Sequence, residues 1–135
     1  VTVLGLTFKP STDDMRDSPA LAIVPALMGA GVHVRVFDPQ GMENARSEIG
    51  VGPYYAETAY NAIEGADCIA LVTEWNEFRA LQLDRVKSLM NKPVMVDMRN
   101  IYNPEEMRSA GFEYFGIGRG YEGNTPVIQT AEAAE

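Results

Sequence analysis

The sequence predicts an α/β fold in which a mainly parallel β-sheet lies between two layers of helices. Short runs rich in β-branched and aromatic residues alternate with stretches of helical periodicity. These runs are almost continuously apolar, which is typical of parallel strands buried on both faces. The handedness of β-α-β connections and the number of elements favour a Rossmann-like, doubly wound sheet with strand order 3-2-1-4-5-6.

Strands and helices are predicted in alternation along most of the chain. The strands cover residues 1–6, 32–37, 51–56 (the weakest), 67–72, 93–98 and 112–117. The helices cover residues 18–31, 57–66, 83–91 and 103–111. Together they predict one domain at residues 1–118. Residues 119–135 lose the periodicity and are expected to form a flexible tail.

The first predicted helix carries signals at both of its ends. Asp17 or Ser18 is suited to the N-cap, and Pro19 fits the first helical position. Gly31 lies where the helix is expected to end. Pro25 falls inside the helix and removes one backbone hydrogen bond, which predicts a kink rather than an end, because the apolar pattern continues beyond it.

Composition and charge exclude several classes of function. The 135 residues, 46% of them hydrophobic, suffice for one globular domain with a sizeable core. A net charge of −8 disfavours binding to nucleic acid. One cysteine and one histidine rule out a disulfide framework, make a zinc site implausible and fit a cytoplasmic protein. No segment is apolar for long enough to span a membrane, and no signal peptide precedes the first strand.

Val1 already lies inside an apparent strand, so we expect the chain to be a fragment of a longer protein that lacks its N-terminal portion.

The loops that follow strands 1, 4 and 5 are expected to form the ligand site. In an open sheet of this order, ligands bind beyond the carboxyl ends of the strands, where the strand order reverses. Lys9 follows strand 1 and Arg99 follows strand 5, so both would face one crevice. Two cations at one crevice of an acidic protein predict an anionic ligand. The N-terminus of the first helix would add N–H groups to the same place.

The usual dinucleotide fingerprint, G-x-G-x-x-G, does not follow strand 1, where only Gly5 is present. Without the second glycine the helix cannot lie directly against a pyrophosphate. The domain is therefore not expected to hold NAD in the usual manner. Side chains on the long charged loop would bind the phosphates instead.

The charged candidates have structural alternatives. Lys9 and Arg16 could simply pair with the aspartates of residues 13–17 on a solvated loop. Arg99 could cap the end of strand 5 or pair with Asp97. Both alternatives stay open at the level of the sequence.

Four other residues carry weaker signals. Asp38 ends strand 2 where a ribose-binding acid often lies, but an aspartate before proline is more often a turn former. Trp75 could stack on a base or cover the end of the sheet. His33 is interpreted as an ordinary strand residue. Cys68 is interpreted as a small buried side chain rather than a nucleophile.

The motifs resemble a known family in their expected order. "GLTFKPSTDDMRDSPAL" is similar to the opening of the C-terminal domain of UDP-glucose 6-dehydrogenases, within the UDP-glucose/GDP-mannose dehydrogenase family. "VFDP", "ADCIALVTEWNEFR" and "VMVDMRNIYNPEEMRSAGFEYFGIGR" match further along, so the resemblance covers about residues 1–120. "VTEWNEF" and "DMRNIY" favour the UDP-glucose branch over the GDP-mannose branch.

The resemblance implies an enzyme of three parts. An N-terminal domain binds NAD, a helical middle region forms a homodimer or higher oligomer, and the C-terminal domain binds the UDP part of the substrate. The reaction would be two NAD-dependent oxidations at C6 of UDP-glucose, giving UDP-glucuronate through an upstream catalytic cysteine. Cys68 does not match that cysteine. The isolated domain is therefore expected to be inactive.

The resemblance also implies roles for individual residues. Phe8 and Lys9 match positions that contact the UDP-sugar, with Lys9 close to the sugar and its phosphates. Arg99 matches a substrate-binding arginine, and Arg16 matches an arginine that reaches NAD. No catalytic residue, no metal ligand and no role for Trp75 or Asp38 follow from it.

Other functions remain open from the sequence. The parent enzyme could oxidise another nucleotide sugar, such as a UDP-N-acetyl-hexosamine or GDP-mannose. The chain could instead be a non-catalytic nucleotide-binding module, or a scaffold domain whose charged loop is only solvated.

Overall fold

The structure, a computed structural model, describes residues 1–117, and the tail predicted at 119–135 lies outside the described residues. Its strands are β1 (Thr2–Leu4), β2 (Arg35–Phe37), β3 (Tyr54–Tyr55), β4 (Ile69–Leu71), β5 (Val94–Asp97) and β6 (Glu113–Gly116). They form one six-stranded sheet in the order β3-β2-β1-β4-β5-β6. Every pairing is parallel. The predicted fold class and strand order are confirmed.

The helices are α1 (Ala20–Gly29), α2 (Met42–Ile49), α3 (Ala59–Ile63), α4 (Asn76–Arg79), α5 (Leu83–Leu89) and α6 (Pro104–Ser109). The four predicted helices are present and shorter than expected. Helices α2 and α4 were not predicted. Most of α2 is polar, although Met42, Ala45 and Ile49 recur at helical spacing and were the available signal.

Two apolar clusters cover the two faces of the sheet. One contains side chains of α1 and α2, and the other contains side chains of α3, α5 and α6. Neighbouring residues of a strand alternate between them, so Val3 belongs to the first cluster and Leu4 to the second. Both residues are fully buried, as the near-continuous apolar runs predict for a three-layer domain.

Helix α1 begins one residue after Pro19, the predicted first helical position. The helix starts at Ala20, so Pro19 occupies the cap position. Of the two predicted caps, Ser18 supplies the side-chain bond, because its Oγ accepts the N–H of Ala20 at 3.2 Å. Asp17 instead adopts a left-handed backbone conformation with φ of 59°. Gly31, with φ of 85°, ends the helix as predicted.

The remaining first-turn amides of α1 are also used within the chain. The N–H groups of Leu21 and Ala22 donate to the carbonyls of Ser18 and Pro19, at 3.1 and 3.0 Å. The prediction that this helix N-terminus offers N–H groups to the crevice is therefore wrong. The Ser18 hydroxyl and the carbonyls of Ser18 and Pro19 accept the N–H groups that would otherwise be free to bind a ligand.

His33 and Cys68 were predicted within strands but lie just before the observed strands. β2 begins at Arg35 and β4 begins at Ile69. The backbone of both residues still extends the sheet, because the carbonyl of His33 accepts the amino group of Val1 and the carbonyl of Cys68 accepts the N–H of Thr2, both at 2.9 Å. The side chain of His33 is exposed.

The edge strand β3 consists of only two residues, both tyrosines, and an arginine side chain stacks on each ring. The guanidinium carbon of Arg35 lies 4.5 Å from the centre of the Tyr54 ring. The same distance separates Arg46 from the ring of Tyr55. At these distances the cations stack on the ring faces.

Candidate ligand-binding crevice

The crevice lies where the loops after β1, β4 and β5 meet. Gly5 lies directly after β1 with φ of 95°, and a Cβ atom added there would lie 2.4 Å from the backbone nitrogen of Thr73. The hydroxyl of Thr73 donates to the carbonyl of Thr7 at 2.6 Å. The first loop therefore packs directly against the end of β4, and only glycine fits at the closest point.

Arg99 connects all three loops. Its Nε donates to the carbonyl of Val72 at 2.7 Å, and its Nη2 donates to the carbonyl of Phe8 at 3.2 Å. The side chain that follows β5 thus reaches the ends of β4 and β1. Lys9 comes directly after Phe8, so it lies on the loop that Arg99 contacts.

Glu74 is the charged neighbour of Arg99. Its Oε1 lies 3.6 Å from Nη1 of Arg99, and the two side chains are 33% and 29% exposed. Asp97, the partner considered from the sequence, accepts the backbone N–H of Arg99 at 3.0 Å. Asp97 therefore fixes the backbone of Arg99, while the guanidinium extends to the neighbouring loops.

Asp97 holds the whole loop after β5. It is fully buried, and its Oδ2 accepts the N–H groups of Ile101 and Tyr102 at 2.9 and 3.0 Å. The hydroxyl of Tyr114 donates to the same oxygen at 2.6 Å. Asn100, between Arg99 and Ile101, adopts φ of 55°. A buried carboxylate thus keeps this turn in a conformation that non-glycine residues seldom adopt.

Phe8 and Lys9 remain available to a ligand. Phe8 is 44% exposed, although its backbone N–H is fixed by the carbonyl of Asp14 at 2.8 Å. Lys9 is exposed and forms no ion pair with any of residues 1–117. The charge of Lys9 contributes to the lowered pKa of Asp14, so Lys9 interacts with an acid of its own loop without forming a direct ion pair.

Arg16 does pair within its loop. Its Nε and Nη2 donate to the two carboxylate oxygens of Asp14, with distances of 2.9 to 3.2 Å. These hydrogen bonds lower the pKa of Asp14 to about 2. The side chain of Arg16 is 88% exposed, so the pair lies on the surface. No contact joins Arg16 to Arg99 among the described residues.

Both carboxylate oxygens of Asp38 are occupied by hydrogen bonds within the chain. It is 1% exposed, and its two oxygens accept bonds from two neighbouring loops. The donors are the backbone N–H groups of Leu6, Thr7, Gln40 and Gly41, the Thr7 hydroxyl and the indole of Trp75, at 2.8 to 3.2 Å. No lone pair is left for a ribose, so the turn-forming interpretation is confirmed.

Trp75 covers the end of the sheet. It is only 7% exposed, and its indole nitrogen donates to Asp38 at 3.2 Å. Its ring is thus committed to the core next to the crevice rather than offered to a base. The structure therefore agrees with the alternative in which Trp75 covers the end of the sheet.

Cys68 directly precedes β4, at the amino ends of the strands and away from the crevice, which lies at their carboxyl ends. It is half-buried, and burial raises the pKa of its thiol. Within residues 1–117, no three His, Cys, Asp or Glu side chains are grouped closely enough to hold a metal ion. The predicted cationic residues after β1 and β5 are Lys9 and Arg99, at the other end of the strands from Cys68.

We expect Cys68 to react with iodoacetamide at pH 8 several-fold more slowly in the folded chain than in the urea-unfolded chain. A raised pKa means a smaller thiolate fraction at a given pH, and the thiolate is the nucleophile. The measurement is the alkylation rate by mass spectrometry between pH 7 and 10. Equal rates in the folded and unfolded chains would contradict the burial of this thiol.

Comparisons with known proteins decide the family. Residues 2–104 match the UDP-glucose/GDP-mannose dehydrogenase family, UDP binding domain. The chain belongs to this family. The resemblance of the motifs is confirmed, and the matched range includes Phe8, Lys9, Arg16 and Arg99.

Relatives of the UDP-glucose/GDP-mannose dehydrogenase family show how much of an enzyme the chain represents. A protein named UDP-glucose 6-dehydrogenase from Rhizobium meliloti is 56% identical over 119 residues, which are 88% of this chain and 27% of that protein. The chain thus spans about a quarter of the length of the curated relatives it matches.

Two solved structures of UDP-sugar dehydrogenases share the fold. The UDP-D-ManNAc dehydrogenase of Pyrococcus horikoshii matches with a TM-score of 0.70 and 31% identity, over 87% of this chain and 25% of that chain. The UDP-glucose dehydrogenase of Pyrobaculum islandicum matches with a TM-score of 0.68 and 31% identity, over 85% and 24%. None of the helices within residues 1–117 has the length and apolar character needed to cross a membrane.

Proposed function

We propose that this chain is the UDP-binding part of an NAD-dependent UDP-glucose 6-dehydrogenase. The parent enzyme would oxidise C6 of UDP-glucose twice and release UDP-glucuronate. The upstream domain would bind NAD and carry the catalytic cysteine, and the parent would be a homodimer or a higher oligomer. We propose the cytoplasm as its compartment, in line with the single thiol of the chain.

One observation carries the proposal, namely the convergence of Arg99, Phe8 and Lys9 at the point where the strand order reverses. Two carbonyl bonds fix the guanidinium plane of Arg99. Three of its five N–H groups remain for a ligand, and a diphosphate is the anion that such a fork and a neighbouring ammonium bind well. The relative at 56% identity supports UDP-glucose as the nucleotide sugar.

The proposed role in catalysis is binding and orientation. Contacts to the diphosphate lie away from the reacting C6, and they hold the sugar in a fixed position relative to the upstream reactive groups. Binding energy from Lys9 and Arg99 would thus be used to position C6. Loss of either side chain should lower kcat of the parent enzyme as well as its affinity for substrate.

We propose that the described residues do not hold a dinucleotide by themselves. The second glycine of the dinucleotide fingerprint is absent, and Thr73 fills the space beside Gly5. The first backbone N–H groups of α1 are hydrogen-bonded within the chain. NAD, which accepts a hydride in each oxidation, would be held by the upstream domain. We propose that Arg16 reaches that cofactor from its exposed position, after leaving Asp14.

We expect UDP and UDP-glucose to bind this chain in calorimetric titrations, whereas GDP and NAD should not. Lys9→Ala and Arg99→Ala should each weaken UDP binding by about 1.5–3 kcal/mol, or roughly 10- to 150-fold in Kd, because each removes a charge-assisted phosphate contact. Arg99→Lys should recover only part of the affinity, since an ammonium cannot reproduce the planar fork.

Lys92→Ala is the matched control. Lys92 is exposed and precedes β5, so it lies at the amino end of the strand, away from the crevice at the carboxyl ends. It removes one positive charge and should leave UDP binding unchanged. Thermal unfolding of every variant separates lost binding from lost folding. Normal UDP binding by folded Lys9→Ala and Arg99→Ala variants would reject the proposed site and favour a scaffold domain.

A dehydrogenase of another UDP-sugar is the second candidate. The 31% identity to the UDP-D-ManNAc dehydrogenase of Pyrococcus horikoshii favours it. Turnover of UDP-glucose against UDP-N-acetylmannosamine by the parent enzyme distinguishes the two. Competition by GDP instead of UDP would point to the GDP-mannose branch, and UDP binding without turnover of any sugar would point to a non-catalytic module.

A further inference from the structure

Glu74 places a negative charge beside the arginine that is proposed to bind the diphosphate. Its Oε1 is shielded from solvent and accepts no hydrogen bond from the described residues. Its charged neighbour is Nη1 of Arg99, at 3.6 Å, which is longer than a normal charge-assisted hydrogen bond. Glu74 is thus an acid next to an anion site without a bond that explains its place there.

Orientation of Arg99 does not depend on Glu74. Nε and Nη2 of Arg99 are already bonded to the carbonyls of Val72 and Phe8, at 2.7 and 3.2 Å. Two bonds in the plane of a guanidinium fix its position and its rotation. The backbone of Arg99 is held separately by Asp97. A third contact at 3.6 Å adds little to this arrangement.

What Glu74 does affect is the charge at Nη1. This nitrogen makes no bond to a carbonyl, so its two N–H groups, together with the second N–H of Nη2, are those from which a phosphate would accept hydrogen bonds. A phosphate oxygen bonded to Nη1 would lie within about 6–7 Å of the Glu74 carboxylate, given the usual length of such bonds. At that distance and at a partly exposed site, two negative charges repel each other enough to change Kd several-fold.

We propose that Glu74 is an internal counter-ion of Arg99 that weakens binding of the nucleotide diphosphate. This inference rests on the proposed function, because it concerns the same crevice. Without ligand, Glu74 balances the charge of Arg99. With ligand, Glu74 and the diphosphate compete for Nη1, so the crevice binds the nucleotide less tightly than its two cations alone would allow.

A reduced affinity suits a site from which a product must leave. The product of the proposed reaction keeps the same diphosphate as the substrate, so every contact to the phosphates retains both equally. An acid that opposes these contacts speeds the release of the product without touching the sugar. Glu74 would therefore set the residence time of the nucleotide rather than the choice of sugar.

The test is titration of this chain and its Glu74→Gln variant with UDP and with uridine, at low and high salt. We expect Glu74→Gln to bind UDP about tenfold more tightly at about 20 mM salt, a gain that falls to roughly twofold at 0.5 M because salt screens the repulsion. Uridine affinity should not change, because uridine carries no phosphate. Glu74→Ala should behave in the same way, which separates charge from side-chain size.

Glu77→Gln is the matched control. It removes the same charge from the adjacent helix α4, where Glu77 is exposed and makes no ion pair with the described residues. It should leave UDP affinity unchanged. An equal gain in Glu77→Gln would overturn the proposal, because the effect would then come from net charge alone.

The outcomes separate this inference from the proposed function. If the unaltered chain binds UDP and Glu74→Gln binds it equally or more weakly, the inference is wrong and the proposed function stands. A gain of the same size for uridine also overturns the inference, because no phosphate would be involved. If neither the chain nor any variant binds UDP, the proposed function of the chain fails and the inference fails with it.

Discussion

Gly5→Ala is expected to destabilise the domain by about 3 kcal/mol or more, as the sum of overpacking and backbone strain. The new Cβ would lie 2.4 Å from the Thr73 nitrogen and 2.6 Å from the Thr73 Cβ. Both belong to the end of β4, which cannot move without breaking its pairing with β1. The φ of 95° adds strain for any residue that has a Cβ. Urea unfolding followed by circular dichroism measures the loss.

Gly29→Ala is the control for the glycine substitution. Gly29 is the last residue of α1, and a Cβ added there meets nothing within 4 Å. Alanine should stabilise the domain by up to about 0.5–1 kcal/mol, through helix propensity and a less flexible unfolded chain. Equal stabilities of the Gly5→Ala and Gly29→Ala variants would contradict the close packing of β1 against β4.

Asp38→Ala is expected to have the largest effect on stability, about 4 kcal/mol, because several buried donors lose their acceptor together. The N–H groups of Leu6 and Thr7 and the indole of Trp75 would be left without the carboxylate that they share. Such a loss is a large part of the total stability of a typical domain, about 5–15 kcal/mol. The variant should therefore melt far below the unaltered chain and bind UDP poorly.

Trp75 also provides the measurement for Asp38→Ala. It is the one tryptophan of the sequence, so its fluorescence reports on the end of the sheet that Asp38 holds. Loss of the indole bond should shift the emission as this end loosens. Asp67→Ala, at an exposed aspartate, should change stability by less than about 0.5 kcal/mol. An Asp38→Ala variant as stable as Asp67→Ala would show that the six donors find other acceptors.

The sequence predicts those features of this domain that depend on local pattern and on the rules of sheet topology. Apolar runs separated by helices suffice for the strand order, and the strand order places Lys9 and Arg99 at one edge of the sheet. The length of each helix is less certain, because caps such as Ser18 shift the boundary by a residue or two.

The sequence could not predict the hydrogen bonds and ion pairs between segments that are distant along the chain. Asp38 fits a ribose ligand as well as a turn until its donors from the loop after β1 are known. The partners of Arg99 are two backbone carbonyls, and a carbonyl has no signature in the sequence. Glu74 was missed because its position beside Arg99 depends on how two loops meet.

The short edge strand β3 has a consequence for how the protein behaves in concentrated solution. An exposed strand edge offers unpaired backbone groups on which another chain can assemble into aggregates. Here the edge strand β3 is two residues long and offers few unpaired backbone groups, and an arginine stacks on the ring of each of its tyrosines. The net charge of −8 also keeps neighbouring molecules apart. At the β3 side of the sheet, the domain is therefore protected against edge-to-edge self-association.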